Sequence, residues 1–211
     1  MPTQKPLITK GTLVLLGDSI IDNNAYVAPN QNVTAKLTSE LGNDWQISKL
    51  AIDGATVREI VQQCGSIPKH TSYIVLSGGG NDALRATQEL YQVASSVQEA
   101  LAVLTTLKEN FHIQYSRLLD IIDTVNCPVA IMTIYDNIPL LPENLRTTLS
   151  LYNDVITRET LARGHHLIDL RILCNEASDY SGISEIEPSE RGGDKIVQSI
   201  NKFLTHNSVQ P

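Results

Sequence analysis

Short runs of consecutive apolar residues alternate along this chain with longer stretches in which apolar residues recur every three or four positions. The apolar runs cover residues 12–16, 46–52, 73–76, 129–135 and 166–170, and four of the five are followed directly by glycine, aspartate or serine. Short apolar runs bounded by turn residues are typical of strands buried on both faces of a parallel sheet. Five such strands are therefore predicted.

The intervening stretches have the periodicity of amphipathic helices. Helices are predicted over residues 32–41, 57–64, 88–107, 108–125, 145–163 and 192–204. In the fourth of these, Phe111, Tyr115, Leu118 and Ile122 fall on one helical face and predict a buried stripe. The polar tail, residues 205–211, is expected to be frayed.

Strand and helix alternate from one end of the chain to the other, which predicts an α/β fold. Crossovers between parallel strands are almost always right-handed, so the helices must cover both faces of the sheet. We predict one domain over residues 1–211, a three-layer, doubly wound, five-stranded parallel sheet. Its strand order is predicted to be flavodoxin-like, with the first strand between the second and the third.

Composition and charge narrow the function classes. The 211 residues carry a formal net charge of -7 and contain no cluster of Lys and Arg, which argues against nucleic acid or an anionic membrane as the main partner. No stretch approaches the ~20 apolar residues of a membrane span, and residues 1–10 lack the apolar segment of a signal peptide. Three cysteines without metal-site spacing predict free thiols, so a cytoplasmic protein is expected.

Three predicted strands are followed by residues that can take part in catalysis. Ser19 follows the first strand, Gly54 the second and Asn81 the third. In the predicted order these strand ends are neighbours, and ligands collect at the carboxyl edge of such sheets. A nucleophilic serine needs donors aimed at the developing oxyanion, and the Ser19 amide, the Gly54 amide and the Asn81 side chain can supply them. The competing interpretation is that Asp18 or Ser19 only caps a helix.

These strand-end motifs resemble those of one enzyme family. Gly17-Asp18-Ser19-Ile20 resembles the first block of the SGNH (GDSL) hydrolases, Gly54 lies in a stretch similar to the second block, and Gly79-Gly80-Asn81-Asp82 is similar to the third. The predicted helix that carries Asn153 and the strand after it also fall where that family has its penultimate helix and strand. The resemblance spans nearly the whole chain.

The resemblance implies a fold, an activity and a set of site residues. The implied fold is the SGNH hydrolase fold, which agrees with the predicted sheet. The implied activity is hydrolysis of a small-molecule ester, such as a small acyl or carbohydrate ester, or sometimes acyl transfer, without a metal or cofactor. Ser19 would be the nucleophile, and Gly54 and Asn81 would complete the oxyanion hole.

The last block departs from the family pattern. Where the family has Asp-x-x-His, this chain has Ser184 and Glu187, and its histidines (His70, His112, His165, His166 and His206) all lie elsewhere. Glu187 can act as the base if burial raises its pKa from about 4.3 towards 6–7. Ser184 would then orient the carboxylate. In the alternative interpretation Glu187 is a solvated acid near a helix start, and the chain is an inactive, SGNH-like binding protein.

Other candidate features of the sequence are weaker. A magnesium site formed by Asp18, Asp22, Asp53 and Asp82 has no spacing to support it over ordinary caps and turns. Asp179 is a spare carboxylate in the loop that carries Glu187. Residues 135–138 and 22–26 follow strands and are candidates for the wall of a substrate pocket.

Overall fold

A computed structural model describes residues 11–207 and contains one parallel sheet. Its strands are β1 (Gly11–Leu16), β2 (Trp45–Lys49), β3 (Tyr73–Leu76), β4 (Val129–Met132) and β5 (His166–Ile168). They are ordered β2-β1-β3-β4-β5, so the predicted fold class and strand order are confirmed. Leu16 pairs with Leu76, and Leu76 with Ile131, which brings the carboxyl ends of the three central strands to the same level.

Seven α-helices accompany the strands within the described residues. They are α1 (Val33–Leu41), α2 (Val57–Cys64), α3 (Gly80–Ala86), α4 (Val97–Asp123), α5 (Glu143–Ala162), α6 (Leu170–Leu173) and α7 (Glu190–Asn207). A 3-10 helix, Thr87–Tyr91, follows α3 directly.

Two apolar cores lie on opposite faces of the sheet because successive side chains of a strand point to opposite sides. Leu13 and Leu15 of β1 face the core that includes α1 and α7, and both side chains are fully buried. Val14 and Leu16 face the core built with α2, α4 and α5. The predicted stripe of α4 is buried in this second core. The molecule therefore has the predicted three layers.

The region after β3 differs from the prediction. Gly80, Asn81 and Asp82, which the sequence places at the end of the third strand, form the first turn of α3. The helix predicted to start at residue 88 does not do so, because residues 87–91 form a 3-10 helix and residues 92–96 are not helical. Ser96 caps α4 by accepting a hydrogen bond from the Glu99 N–H at 3.1 Å. From there α4 runs unbroken through residues 107 and 108, where the sequence leaves open whether the helix continues or restarts, because no glycine or proline interrupts it.

Smaller differences occur at other element ends. β2, β4 and β5 stop two to three residues before their predicted ends, where the chain leaves the sheet to form the loops at its carboxyl edge. Helix α7 continues to Asn207, so residues 205–207 of the tail expected to be frayed are helical, and residues 208–211 lie outside the described residues. None of the helices in residues 11–207 is long and apolar enough to span a membrane.

Candidate active site

The chain reverses sharply after β1 at Gly17, which has a φ of 138°. A Cβ atom at this position would lie 2.3 Å from the Ser77 carbonyl oxygen, so only glycine fits. The Gln63 side chain holds the turn from α2. Its Oε1 accepts from the Gly17 N–H, and its Nε2 donates to the Gly17 carbonyl, both at 2.8 Å. The turn presents the next two residues at the carboxyl edge of the sheet.

Asp18 stabilises this turn. Its buried Oδ1 accepts hydrogen bonds from the Ser77 hydroxyl at 2.8 Å and from the Ile20 N–H at 3.2 Å. Burial raises the pKa of Asp18 to about 6. Asp18, rather than Ser19, therefore accepts the local hydrogen bonds that stabilise the turn. The Ser19 side chain lines a cavity instead.

Glu187 reaches the same cavity from the loop before α7. This loop is pinned by its backbone: the Ser181 N–H donates to the Glu187 carbonyl at 2.8 Å, and the Tyr135 hydroxyl donates to the Ile186 carbonyl at 2.5 Å. The Glu187 side chain is buried, with 5% of the residue exposed. A fixed loop thus holds a carboxyl group inside the protein rather than in water.

The Ser19 hydroxyl faces the Glu187 carboxylate as a hydrogen-bond donor, which acts to lower the pKa of Glu187. Burial outweighs this effect, and the negative charges of Asp18 and Asp53 act in the same direction as burial, so the pKa rises to about 7. The Glu187 Oε2 atom is buried and has no hydrogen-bond partner among the described residues. The carboxyl group can therefore exchange a proton near neutral pH.

Asn81 lies in the first turn of α3 and lines the same cavity. Its Nδ2 donates to the Ala55 carbonyl at 3.1 Å, which leaves the second hydrogen of that amide for another acceptor. The turn before Ala55 contains Gly54, whose φ of 78° is a conformation that favours glycine. Gly54 lines a neighbouring open groove rather than the cavity itself. Ser19, Asn81 and Glu187 therefore line one cavity. Gly54 precedes Ala55, whose carbonyl accepts the hydrogen bond from Asn81.

Ser184 does not occupy the position expected for it. Its contact with Glu187 runs through the backbone, where the Ser184 carbonyl accepts from the Glu187 N–H at 3.1 Å. Ser184 is not among the residues that line the cavity. The described contacts contain no hydrogen bond from its hydroxyl to the Glu187 carboxylate, and Oε2 of that carboxylate has no partner.

The cavity beside Ser19 has a volume of about 130 Å³ and a mostly apolar lining. Its walls come from α3, the Thr87–Tyr91 turn, the loop after β4 and the start of α5, and its larger apolar side chains include Leu84, Leu90, Ile134, Ile138, Leu145 and Leu149. Of residues 135–138, Tyr135 and Ile138 belong to the lining, and Asp136 and Asn137 do not. From residues 22–26, Asp22 lines the groove that contains Gly54.

The aspartates that the sequence offers for a magnesium site have other partners. Asp22 pairs with Lys49, and Asp53 Oδ2 accepts from the Tyr26 hydroxyl at 2.8 Å. Asp82 Oδ2 accepts from the Val57 N–H at 3.0 Å and so joins the starts of α2 and α3. Within residues 11–207, no three His, Cys, Asp or Glu side chains come close enough together to hold a metal ion.

Histidines lie away from this site. His112 bonds to Glu159 at 2.8 Å, and His165 bonds to Asp123 at 2.8 Å. His166 packs against the ring of Phe203. No histidine of the described chain lines the cavity.

Two further parts of the site have a structural role. Asp179 is fully buried and pairs with Lys195 of α7 at 2.6 Å.

Gln63 and Ser77, which fix the Gly17 turn, are not evident from the sequence, because a pairwise contact between distant segments leaves no periodic signal. Only the position of Ser77, directly after β3, pointed to the site.

Comparisons with known proteins agree with this fold. Residues 15–194 match the model of the GDSL-like lipase/acylhydrolase family. No curated protein matches the sequence.

Solved structures with the same fold include phospholipase A1 from Streptomyces albidoflavus NA297. It is 19% identical, with a TM-score of 0.67 over 91% of this chain and 98% of that chain. The acetyl xylan esterase Axe2, in its W215I form, from Geobacillus stearothermophilus is 15% identical, with a TM-score of 0.68 and coverage of 93% and 95%. The psychrotrophic esterase EstA from Pseudoalteromonas sp., inhibited by monoethylphosphonate, is 14% identical, with a TM-score of 0.64 and coverage of 93% and 100%. At these identities the likeness shows a shared fold.

Proposed function

The chain belongs to the GDSL-like lipase/acylhydrolase family, whose members hydrolyse ester bonds, and on that premise we propose that it cleaves small acyl esters with Ser19 as nucleophile and Glu187 as base. The observation that carries the proposal is the placement of Glu187. It is buried, faces the Ser19 hydroxyl and has a pKa of about 7. At neutral pH about half of the molecules then hold the ionised base.

In the first half of the reaction the Ser19 oxygen attacks the carbonyl carbon of the ester while the Glu187 carboxylate accepts the hydroxyl proton. The carbonyl oxygen becomes an oxyanion. Donors for it are the Ser19 N–H, the Gly54 N–H and the second hydrogen of the Asn81 amide. The proton on Glu187 then passes to the oxygen of the leaving alcohol, and an acyl-serine remains.

In the second half a water molecule takes the place of the alcohol. Glu187 accepts a proton from the water as it attacks the acyl-serine, and it returns that proton to the Ser19 oxygen as the acid leaves. A carboxylate becomes neutral when it takes a proton, whereas a histidine becomes a cation that needs an acidic partner. This difference is why a serine at position 184 is compatible with a glutamate at position 187.

Labelling and hydrolysis together test the proposal. We expect a fluorophosphonate probe to label the wild type at Ser19 and a short-chain p-nitrophenyl ester to be hydrolysed. Ser19→Ala should abolish both. The matched control is Ser150→Ala, an exposed serine on α5, which should behave as the wild type.

The absence of histidine from the described cavity lining favours a second candidate, an inactive binding protein on the same fold. That candidate predicts neither labelling nor hydrolysis above the Ser19→Ala level. Because an oxyanion hole alone can retain slow turnover, labelling of Ser19 is the decisive readout.

A further inference from the structure

The cavity that Ser19 lines can hold a part of the substrate in addition to the reacting carbonyl group. Glu187 approaches from the side of α7, which packs on the α1 face of the sheet. The cavity is bounded by α3 and α5, and α5 packs on the opposite face. Ser19, Asn81 and Glu187 all line this cavity, and apolar side chains form most of the rest of its wall.

The geometry of attack assigns the substituents of the carbonyl carbon. Its oxygen has to point to Asn81, and its leaving oxygen has to lie beside Glu187 to receive a proton. The remaining substituent is the acyl chain, which is the part that gains free energy when it leaves water for apolar surroundings. The mostly apolar wall that α3, α5 and the loop after β4 give the cavity suits this substituent.

The size of the cavity limits the chain it can hold. An apolar protein cavity of about 150 Å³ binds benzene, which has six carbon atoms. The cavity here measures about 130 Å³. Its inner wall includes Thr148 and Leu149, which are both buried, whereas Leu84 is half exposed at its outer wall. The chamber thus has room for a chain of about six carbons, far more than an acetyl group needs.

We infer that this cavity is the acyl-chain site and that it makes the protein selective for acyl chains of about six carbons over acetyl; this inference rests on the proposed function. Apolar burial supplies the selectivity, because each methylene that leaves water for an apolar environment contributes about fourfold in affinity. Four additional methylenes separate hexanoyl from acetyl. The expected preference in kcat/KM is about two-hundredfold.

Helix α5 offers a matched pair of variants for the test. Thr147 and Thr148 both bond their hydroxyl to the carbonyl four residues earlier, at 2.9 Å and 3.0 Å. Thr148 lines the cavity, whereas its neighbour is exposed. Thr148→Phe places a six-carbon ring in the cavity, and Thr147→Phe places the same ring in solvent. Ala83→Phe fills the cavity from α3 and serves as a second variant if Thr148→Phe does not fold.

The experiment measures kcat/KM for p-nitrophenyl acetate, butyrate, hexanoate and octanoate, with folding checked by circular dichroism. We expect the wild type and Thr147→Phe to prefer hexanoate about two-hundredfold over acetate. Thr148→Phe or Ala83→Phe should lose this preference, so that kcat/KM for hexanoate falls to about the value for acetate in the same variant. An acetate optimum in the wild type, or an unchanged chain-length profile in both cavity variants, would overturn the inference while leaving the proposed function intact.

A second substrate series separates the acyl chain from the alcohol. Ethyl, butyl and hexyl acetates vary only the alcohol, and we expect their kcat/KM values to differ by a few-fold at most. A strong preference for hexyl acetate would place the alcohol in the cavity and overturn the assignment. Failure to hydrolyse any ester in either series, with Ser19 unlabelled, would instead overturn the proposed function and this inference with it.

Discussion

Glu187→Gln should inactivate the protein and at the same time stabilise it above neutral pH. The carboxyl group is buried in the folded chain, and its pKa rises from an ordinary 4.5 to about 7. The folded state therefore holds the Glu187 proton more tightly than the unfolded chain does. Between pH 4.5 and 7 the unfolded chain binds fewer protons, so the free energy of unfolding falls as the pH rises through this window.

The size of the effect follows from the two pKa values. One pKa unit corresponds to about 1.4 kcal/mol, so ionised Glu187 costs the folded state about 3 kcal/mol above pH 7. Small domains have unfolding free energies of about 5–15 kcal/mol, so this cost is a substantial fraction. The glutamine variant has a similar shape and no ionisable group. It should match the wild type near pH 4.5 and exceed it in stability by up to about 3 kcal/mol at pH 8.

Urea unfolding at pH 4.5, 6, 7 and 8 measures this difference for the wild type, Glu187→Gln and Glu185→Gln. Glu185 is exposed in the same loop, so its variant controls for the loss of one negative charge near the site. Ionisation of Asp18 occurs in all three proteins and largely cancels. Parallel stability curves for Glu187→Gln and the wild type across this pH range would refute the reasoning, because they would show that the carboxyl group is not held in its neutral form by burial.

Further predictions concern the site and its supports. The kcat/KM of the wild type should rise with pH through an apparent pKa of about 7, and Glu187→Gln should be at least a hundredfold slower and lack this rise. Asp18→Asn removes a negative charge that raises the pKa of Glu187, so its pH–rate profile should shift to lower pH, and an unmoved profile would count against that coupling. Asn81→Ala should lower kcat by about a hundred- to a thousandfold with KM nearly unchanged, and equal kcat values would remove Asn81 from the oxyanion hole. Asn153→Leu should cost about 2–4 kcal/mol in urea unfolding, because both backbone groups of Ile134 lose their buried partner; a cost under 1 kcal/mol would contradict this.

Most of the strands were predictable because they are local apolar runs; the second, with its mixed pattern, was the exception. The handedness of crossovers left few strand orders to choose from. The region after β3 was not predictable. Gly78, Gly79 and Gly80 have the composition of a loop, yet α3 starts at Gly80. The non-helical segment 92–96 was not predicted, because the residues on either side of it have good helical propensity.

The sequence could predict which residues lie close together in the site, since the carboxyl ends of parallel strands share one edge of the sheet. Ser19 and Asn81 line one cavity, and the spacing of the last block located Glu187 in it. The expected contact of the Ser184 side chain did not follow from spacing, because the loop turns its backbone carbonyl to Glu187 instead. The Gln63 contact with Gly17 spans 46 residues and had no local pattern.

The sequence alone predicted the alternation of strands and helices, and it placed a serine and an asparagine after two of the strands, because these features depend on local patterns and chain connectivity. The strand order was one choice among the few that right-handed crossovers allow, and Glu187 was located by the resemblance of the last block. Only the tertiary structure decided whether Glu187 has a useful basicity. The pKa of a carboxyl group depends on the water removed from around it. Here that depends on a loop that is closed on itself by Ser181 and held by Tyr135, which is 51 residues away from its partner Ile186. The volume and direction of the cavity were likewise decided by how α3 and α5 pack together.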